Sequence, residues 1–81
     1  MSSDIAECLG DTIREVLGKP DLVVTDDLTA AQVDGWDSVA HVELIYTIEE
    51  TFGISFPVEE ILDHPDVGTL RRDIERRVGR S

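Results

Sequence analysis

Apolar residues recur along this chain in three stretches with the three-and-four spacing of a helix that buries one face. The first comprises Ile5, Cys8, Leu9, Ile13, Val16 and Leu17, and predicts a helix from about Asp4 to Leu17. Asp4 and Glu7 put negative charge at its positive end, and Gly18 and Pro20 stop it. The second predicts a helix from about Ser38 to Phe52, with Val39, Val42, Ile45, Ile48 and Phe52 as its buried stripe. Glu43, Thr47 and Glu50 fall on the opposite face with Tyr46 beside them, and Gly53 is the stop. The third runs from about Val67 to Val78, capped by Asp66, with Val67, Leu70, Ile74 and Val78 inward and the arginines outside.

The connections are less regular. Residues 19–36 show no sustained period and predict a long loop, pinned to the core at Leu28 and Val33. Thr29 and Gln32 stand at capping-box spacing for one short turn. Ile54 and Phe56 alternate with Ser55 as in a strand, but Pro57 ends the run and no partner strand exists, so this is an extended connector. A short helical turn follows around Glu59 to Leu62, broken at His64-Pro65. The expected fold is all-α: a small four-helix bundle, three helices longer and one short, with the long loop between the first and second.

At 81 residues there is room for one domain, over residues 1–81. A chain this short buries only about 60% of its unfolded surface, which weighs against an enclosed active site. The net charge is −11, and residues 21–66 hold twelve acids without a single Lys or Arg. Such a surface repels nucleic acid and anionic membrane and attracts basic protein patches. Cys8 is the only cysteine, so there is neither a disulfide framework nor a metal set. Without a signal-peptide pattern or an apolar run of membrane length, the expectation is a soluble, cytoplasmic monomer.

Candidate chemistry gathers at Gly35-Trp36-Asp37-Ser38-Val39, where the long loop meets the second helix. A serine at a helix start is ordinarily a cap. Here Asp37 can take that role and leave the Ser38 hydroxyl pointing outward, while Trp36 stakes the loop to the bundle. A helix N-terminus, with its unpaired N–H groups and partial positive charge, also suits a phosphate ester.

Asp37-Ser38-Val39 resembles the Asp-Ser-Leu signature of acyl carrier proteins, with Val for Leu. Val42-Glu43-Leu44-Ile45 and Ile48 through Pro57 are similar to that family's second helix and its exit, and the likeness spans the whole chain. It implies a discrete, non-catalytic carrier. A phosphopantetheinyl transferase would move 4'-phosphopantetheine from coenzyme A to Ser38, and the arm's thiol would then hold an acyl or aminoacyl group as a thioester. It also implies that Asp37 helps engage the transferase and its magnesium. Partner enzymes with basic surfaces would load and unload the arm, meeting the second helix at Val39, Glu43, Tyr46, Glu49 and Glu50. The departures, Val39 for Leu with His41 and Tyr46 bulkier or more polar than a fatty-acid carrier leads one to expect, bear on the cargo. The Gly-Trp-Asp-Ser lead-in resembles carriers of polyketide or related specialised biosynthesis more than those of fatty-acid synthesis.

Three other readings explain less. Ser38 and His41 stand three apart on one helix, as a nucleophile and base would, yet there is no Gly-x-Ser-x-Gly elbow and no evident oxyanion hole. Asp26, Asp27, Asp34 and Asp37 lack the alternation, central Gly and terminal Glu of a calcium loop. An unmodified acidic interaction module fits the charge, but makes the Ser38 hydroxyl irrelevant.

Overall fold

The computed structural model describes residues 2–79. Three helices carry the fold: α1 (Ser2–Leu17), α2 (Ser38–Phe52) and α3 (Val67–Val78). Two single turns of 3-10 helix, Ala30–Gln32 and Val58–Glu60, lie in the connections, and the described residues form no strand. The bundle is thus three-helical, and the expected short fourth helix reduces to the second of these turns. α1 begins at Ser2 rather than Asp4.

α1 packs against both α2 and α3. The fully buried side chains are Leu9 and Ile13 of α1, Leu44, Ile45 and Ile48 of α2, and Leu70 and Ile74 of α3. Val33, Trp36 and Phe56 bring the connections into the same core, with Leu28 and Ile54 packed against it. Two expectations for α2 need correcting. Val39 is 71% exposed, and Leu44, absent from the expected stripe, is fully buried with His41 beside it on the inward face. The helix is rotated so that its inward line runs His41, Leu44, Ile45, Ile48, and a polar residue at the head of that line hid it from a hydrophobicity count.

The long loop is fastened near its start and at its middle. Near its start, Arg14 Nε donates to the Leu22 carbonyl at 2.8 Å. Further on, the carbonyls of Asp26 and Leu28 accept from the N–H groups of Gly68 and Val67, at 2.8 and 2.9 Å. Asp66 Oδ1 takes the next donor, Thr69 N–H, at 2.8 Å. The first three orphan donors of α3 are therefore all satisfied, two of them by a distant loop. A Cβ on Gly68 would meet the Asp26 carbonyl oxygen at 3.1 Å, tight enough that the loop would have to shift slightly to admit it.

Two arginines of α3 turn back onto the fold rather than lining its outside. Arg71 forks onto both carboxylate oxygens of Asp26, at 3.0 and 2.9 Å. Arg77 reaches Asp73, the Ser55 carbonyl and Glu60, each at 3.0 Å, with its guanidinium 4.8 Å from the centre of the Phe56 ring. The extended connector is held from the other side by Glu49, whose Oε2 accepts from Phe56 N–H at 2.8 Å.

Candidate functional site

Everything that presents Ser38 comes from the three residues before it and the three after. Gly35 takes φ +87°, in the left-handed region that only glycine enters freely, and turns the loop toward α2. Trp36 then drops into the core, 8% exposed, and its indole N–H donates to His41 Nδ1 at 3.1 Å. Asp37 has extended backbone and caps the helix, its Oδ1 accepting from Ala40 N–H at 2.8 Å.

With Asp37 as cap, Ser38 is left exposed as the first helical residue. Its hydroxyl bonds to no described residue, and neither do its own N–H and that of Val39. The contrast with the start of α3, where the corresponding donors are all taken, is direct. α2 opens on a free hydroxyl beside free N–H donors at the positive end of a helix, a setting that suits a phosphodiester.

Behind Ser38 lies a cleft of about 190 Å³, bordered by Trp36, Asp37, Ser38, His41, Leu62 and His64. His41 is 7% exposed. Burial pushes its imidazole below its ordinary value; the neighbouring His64 adds to this and the Ile61 carbonyl opposes it. His64, its side chain 4% exposed, contacts Asp73 Oδ2 through Nε2 at 3.1 Å. Burial alone would raise the Asp73 carboxyl, but the His64 bond, the Arg77 charge and the bonds from Arg76 and Arg77 outweigh it and hold the group below its ordinary value. His41 Nε2 and His64 Nδ1 are buried without partners.

These contacts do not make a nucleophile. His41 Nδ1 is committed to Trp36, and no hydrogen bond joins either imidazole to the Ser38 hydroxyl. Among the described residues, no group of three or more His, Cys, Asp or Glu is placed to hold a metal ion. No helix there is long and apolar enough to cross a membrane.

The residues expected to meet partners follow Ser38 along α2. Val39, Glu43, Tyr46 and Glu50 are exposed, Tyr46 at 58%. Glu49 is half-buried and already bonded to Phe56 N–H. As the spacing predicts, Asp37 caps α2 and Ser38 is its exposed first residue. Sequence reasoning missed the pairing of His41 with Trp36 and the arrival of His64, which depends on how the 53–66 connection folds back.

The family described as the phosphopantetheine attachment site matches residues 9–74, a span that takes in all of α2 with Ser38 and the larger part of α1 and α3. The chain belongs to this family. Two relatives bear on what family members do. Over 68 residues, 84% of this chain, the sequence is 32% identical to the non-reducing polyketide synthase curS2 of Aspergillus terreus, and spans 3% of that protein's length. The fold matches the solution structure of a holo acyl carrier protein from Geobacter metallireducens with a TM-score of 0.86 and 28% identity, over 94% of this chain and 87% of that one. This chain is accordingly a carrier domain like that of acyl carrier proteins, not itself catalytic, and phosphopantetheine is its prosthetic group. When bound, the group supplies a terminal thiol that holds cargo as a thioester. The residues around the start of α2 fit such a group: an unencumbered hydroxyl, free N–H donors and an adjoining cleft lined by Trp36, His41 and Leu62. Membership implies a phosphopantetheinyl transferase and acyl-transferring enzymes as partners.

Proposed function

We propose that Ser38 is the attachment point, and that residues 1–81 act as one cytoplasmic carrier unit delivering acyl or aminoacyl groups in polyketide or related specialised biosynthesis. The observation that carries the attachment is the division of labour between neighbours. Asp37 caps α2 through Ala40 N–H, so the adjacent, exposed Ser38 keeps its hydroxyl for another use. The pathway reading is supported by the similarity to a polyketide synthase and by the Gly35-Trp36-Asp37-Ser38 lead-in. The partner face is Val39, Glu43, Tyr46, Glu49 and Glu50, with Glu49 doubling as an anchor for the connector. It borders a shallow hollow of about 510 Å³ shared by Tyr46, Glu49, Glu50 and Ile54.

The test is direct. Incubation with a phosphopantetheinyl transferase and coenzyme A adds one phosphopantetheine to the intact mass of the wild type and none to Ser38→Ala. A wild-type mass unchanged with several competent transferases overturns the reading and leaves an unmodified acidic interaction module in its place. The cargo follows from the intact mass of the protein purified from its native host, where a simple saturated acyl group would favour fatty-acid synthesis instead.

A further inference from the structure

The hydrogen bonds of Asp73 reach no residue of α2, yet they lead to the cleft beside Ser38. Asp73 is only 8% exposed. Its carboxylate collects three donors: His64 Nε2 on Oδ2 at 3.1 Å, and Arg76 Nη2 and Arg77 Nε on Oδ1 at 2.6 and 3.0 Å. The group is held in its ionised form and only accepts, so the His64 nitrogen facing it carries a proton whether that ring is neutral or charged. The guanidinium fixed in this way grips the 53–66 connection in turn. Arg77 donates to the Ser55 carbonyl and to Glu60, each at 3.0 Å, and lies over the Phe56 ring.

The connection is thus held at Glu60 through Arg77 and at His64 directly, and both holds end on one carboxylate. Leu62 lies between them. It is 61% exposed and borders the cleft together with Trp36, Ser38 and His64. The turn before it, Val58–Glu60, is a single one without a side-chain cap, too short to keep its own place. The position of Leu62 beside Ser38 is therefore set from α3, by charge-assisted hydrogen bonds.

We propose that Asp73 positions the far wall of the attachment cleft: through Arg77 and His64 it holds residues 60–64 closed on the start of α2, and so keeps Leu62 beside Ser38 for the transferase that loads it. The inference rests on attachment at Ser38. Asp73 and Arg77 are positioning residues, since neither borders the cleft. An open wall leaves the loading chemistry intact and removes part of the surface on which the transferase settles. The effect therefore falls on KM and spares kcat.

Trp36, the only tryptophan in the chain, lines the same cleft and reports on the wall. The experiment measures acrylamide quenching of its fluorescence, and the kinetics of transferase loading followed by intact mass. It compares the wild type with Asp73→Leu, Arg77→Met and Glu75→Gln, at a temperature where circular dichroism shows each folded. Asp73→Leu removes the acceptors at similar volume, and Arg77→Met keeps the apolar stem against Phe56 without the guanidinium. Glu75→Gln takes an ion pair with Arg71 from α3 and leaves the connection untouched. The first two should make Trp36 more quenchable and raise the apparent KM about threefold at unchanged kcat, the factor for a wall in place about a third of the time. Glu75→Gln should match the wild type in both, and Asp73→Leu combined with Arg77→Met should be no worse than Asp73→Leu alone. If Asp73→Leu does not fold, Arg77→Met decides by itself. Folded variants with wild-type quenching overturn the inference and confine Asp73 to the stability of α3. Freer quenching with an unchanged KM, or with a fall in kcat instead, overturns the role in loading. Equal effects from Glu75→Gln overturn it in favour of a general loosening of α3. A wild type that gains no mass refutes attachment at Ser38 and the role in loading with it, and the quenching comparison still decides whether Asp73 holds the wall.

Discussion

Asp37 combines two duties that a substitution can separate. Its Oδ1 caps α2, and its charge sits next to Ser38, the residue we propose as the attachment point. Asn caps as well as Asp does, so Asp37→Asn should melt close to the wild type while accepting the arm more slowly. Asp37→Ala should lose the cap as well, at about 1 kcal/mol, which lowers the melting temperature of a domain this size by roughly 4–8 °C. Calorimetry alongside a loading time course checks both; equal loading rates for Asp37→Asn and wild type would restrict Asp37 to a capping role. This capping was legible in the sequence because it depends only on residues within one turn. The position of Val39 was not. At the first turn of α2 a side chain meets the core only if a neighbouring element covers it, and the structure covers His41 instead. The Trp36–His41 and His64–Asp73 bonds were equally hidden, because each joins a residue to one that only tertiary folding brings near.

At the scale of the element, the outer face of α2 is not uniform. Glu43 and Glu50 are exposed and their side chains bond to no described residue, whereas the Glu49 carboxylate is occupied by Phe56 N–H. A docking partner with Lys or Arg residues therefore finds its free charges at Glu43 and Glu50, and exposed pairs of this kind set encounter rate and register. Reversing both to Lys should raise the apparent KM for transferase loading about three- to tenfold, since each exposed pair contributes roughly 0.2–1 kcal/mol. The wild-type rate should fall with added salt and the double variant should lose most of that dependence. Matching kinetics in a variant shown by circular dichroism to be folded would reduce these glutamates to a solvated surface and shift docking to Val39 and Tyr46. Reversal of Glu49 is a poorer probe, because it also releases the connector at Phe56.

For the molecule as a whole, charge and pH act in the same direction. A net charge of −11 opposes compactness, and the fold offsets part of it by bringing Arg71 to Asp26 and Arg77 to Glu60 across long separations in sequence. Salt screens the remaining repulsion over about 8 Å at physiological strength, so the melting temperature should rise as salt is added to a dilute buffer. A flat or falling response would mean that the cross-chain ion pairs outweigh the repulsion. Acid should destabilise in two stages. As pH falls below about 6.5, the unfolded chain protonates His41 while the folded chain resists, so unfolded molecules bind more protons and stability drops. The Asp66 and Asp73 carboxyls, both held below their ordinary value, contribute stability above about pH 4 that is lost as pH falls further, through their folded values. His41→Gln should flatten the upper stage and leave the lower one, as read from urea midpoints between pH 7 and pH 3. The acidity and helix count behind these expectations were plain in the sequence; the long-range pairing of the arginines was not, since amphipathic spacing places them on an outer face and says nothing of a loop that returns to meet them.

That returning loop also governs the order in which the chain can fold. α3 receives its first two hydrogen-bond acceptors from Leu28 and Asp26, about forty residues earlier in the chain. Until the loop is seated, the Val67 and Gly68 amides have no protein partner and α3 begins frayed. Those two amide protons should therefore exchange with deuterium together, and faster than the amides in the middle of α3, whenever the loop lifts. They report on the segment that leads into Gly35 and Ser38 from the opposite end of that loop, and so give a measure of how firmly the attachment platform is held before any arm or partner arrives.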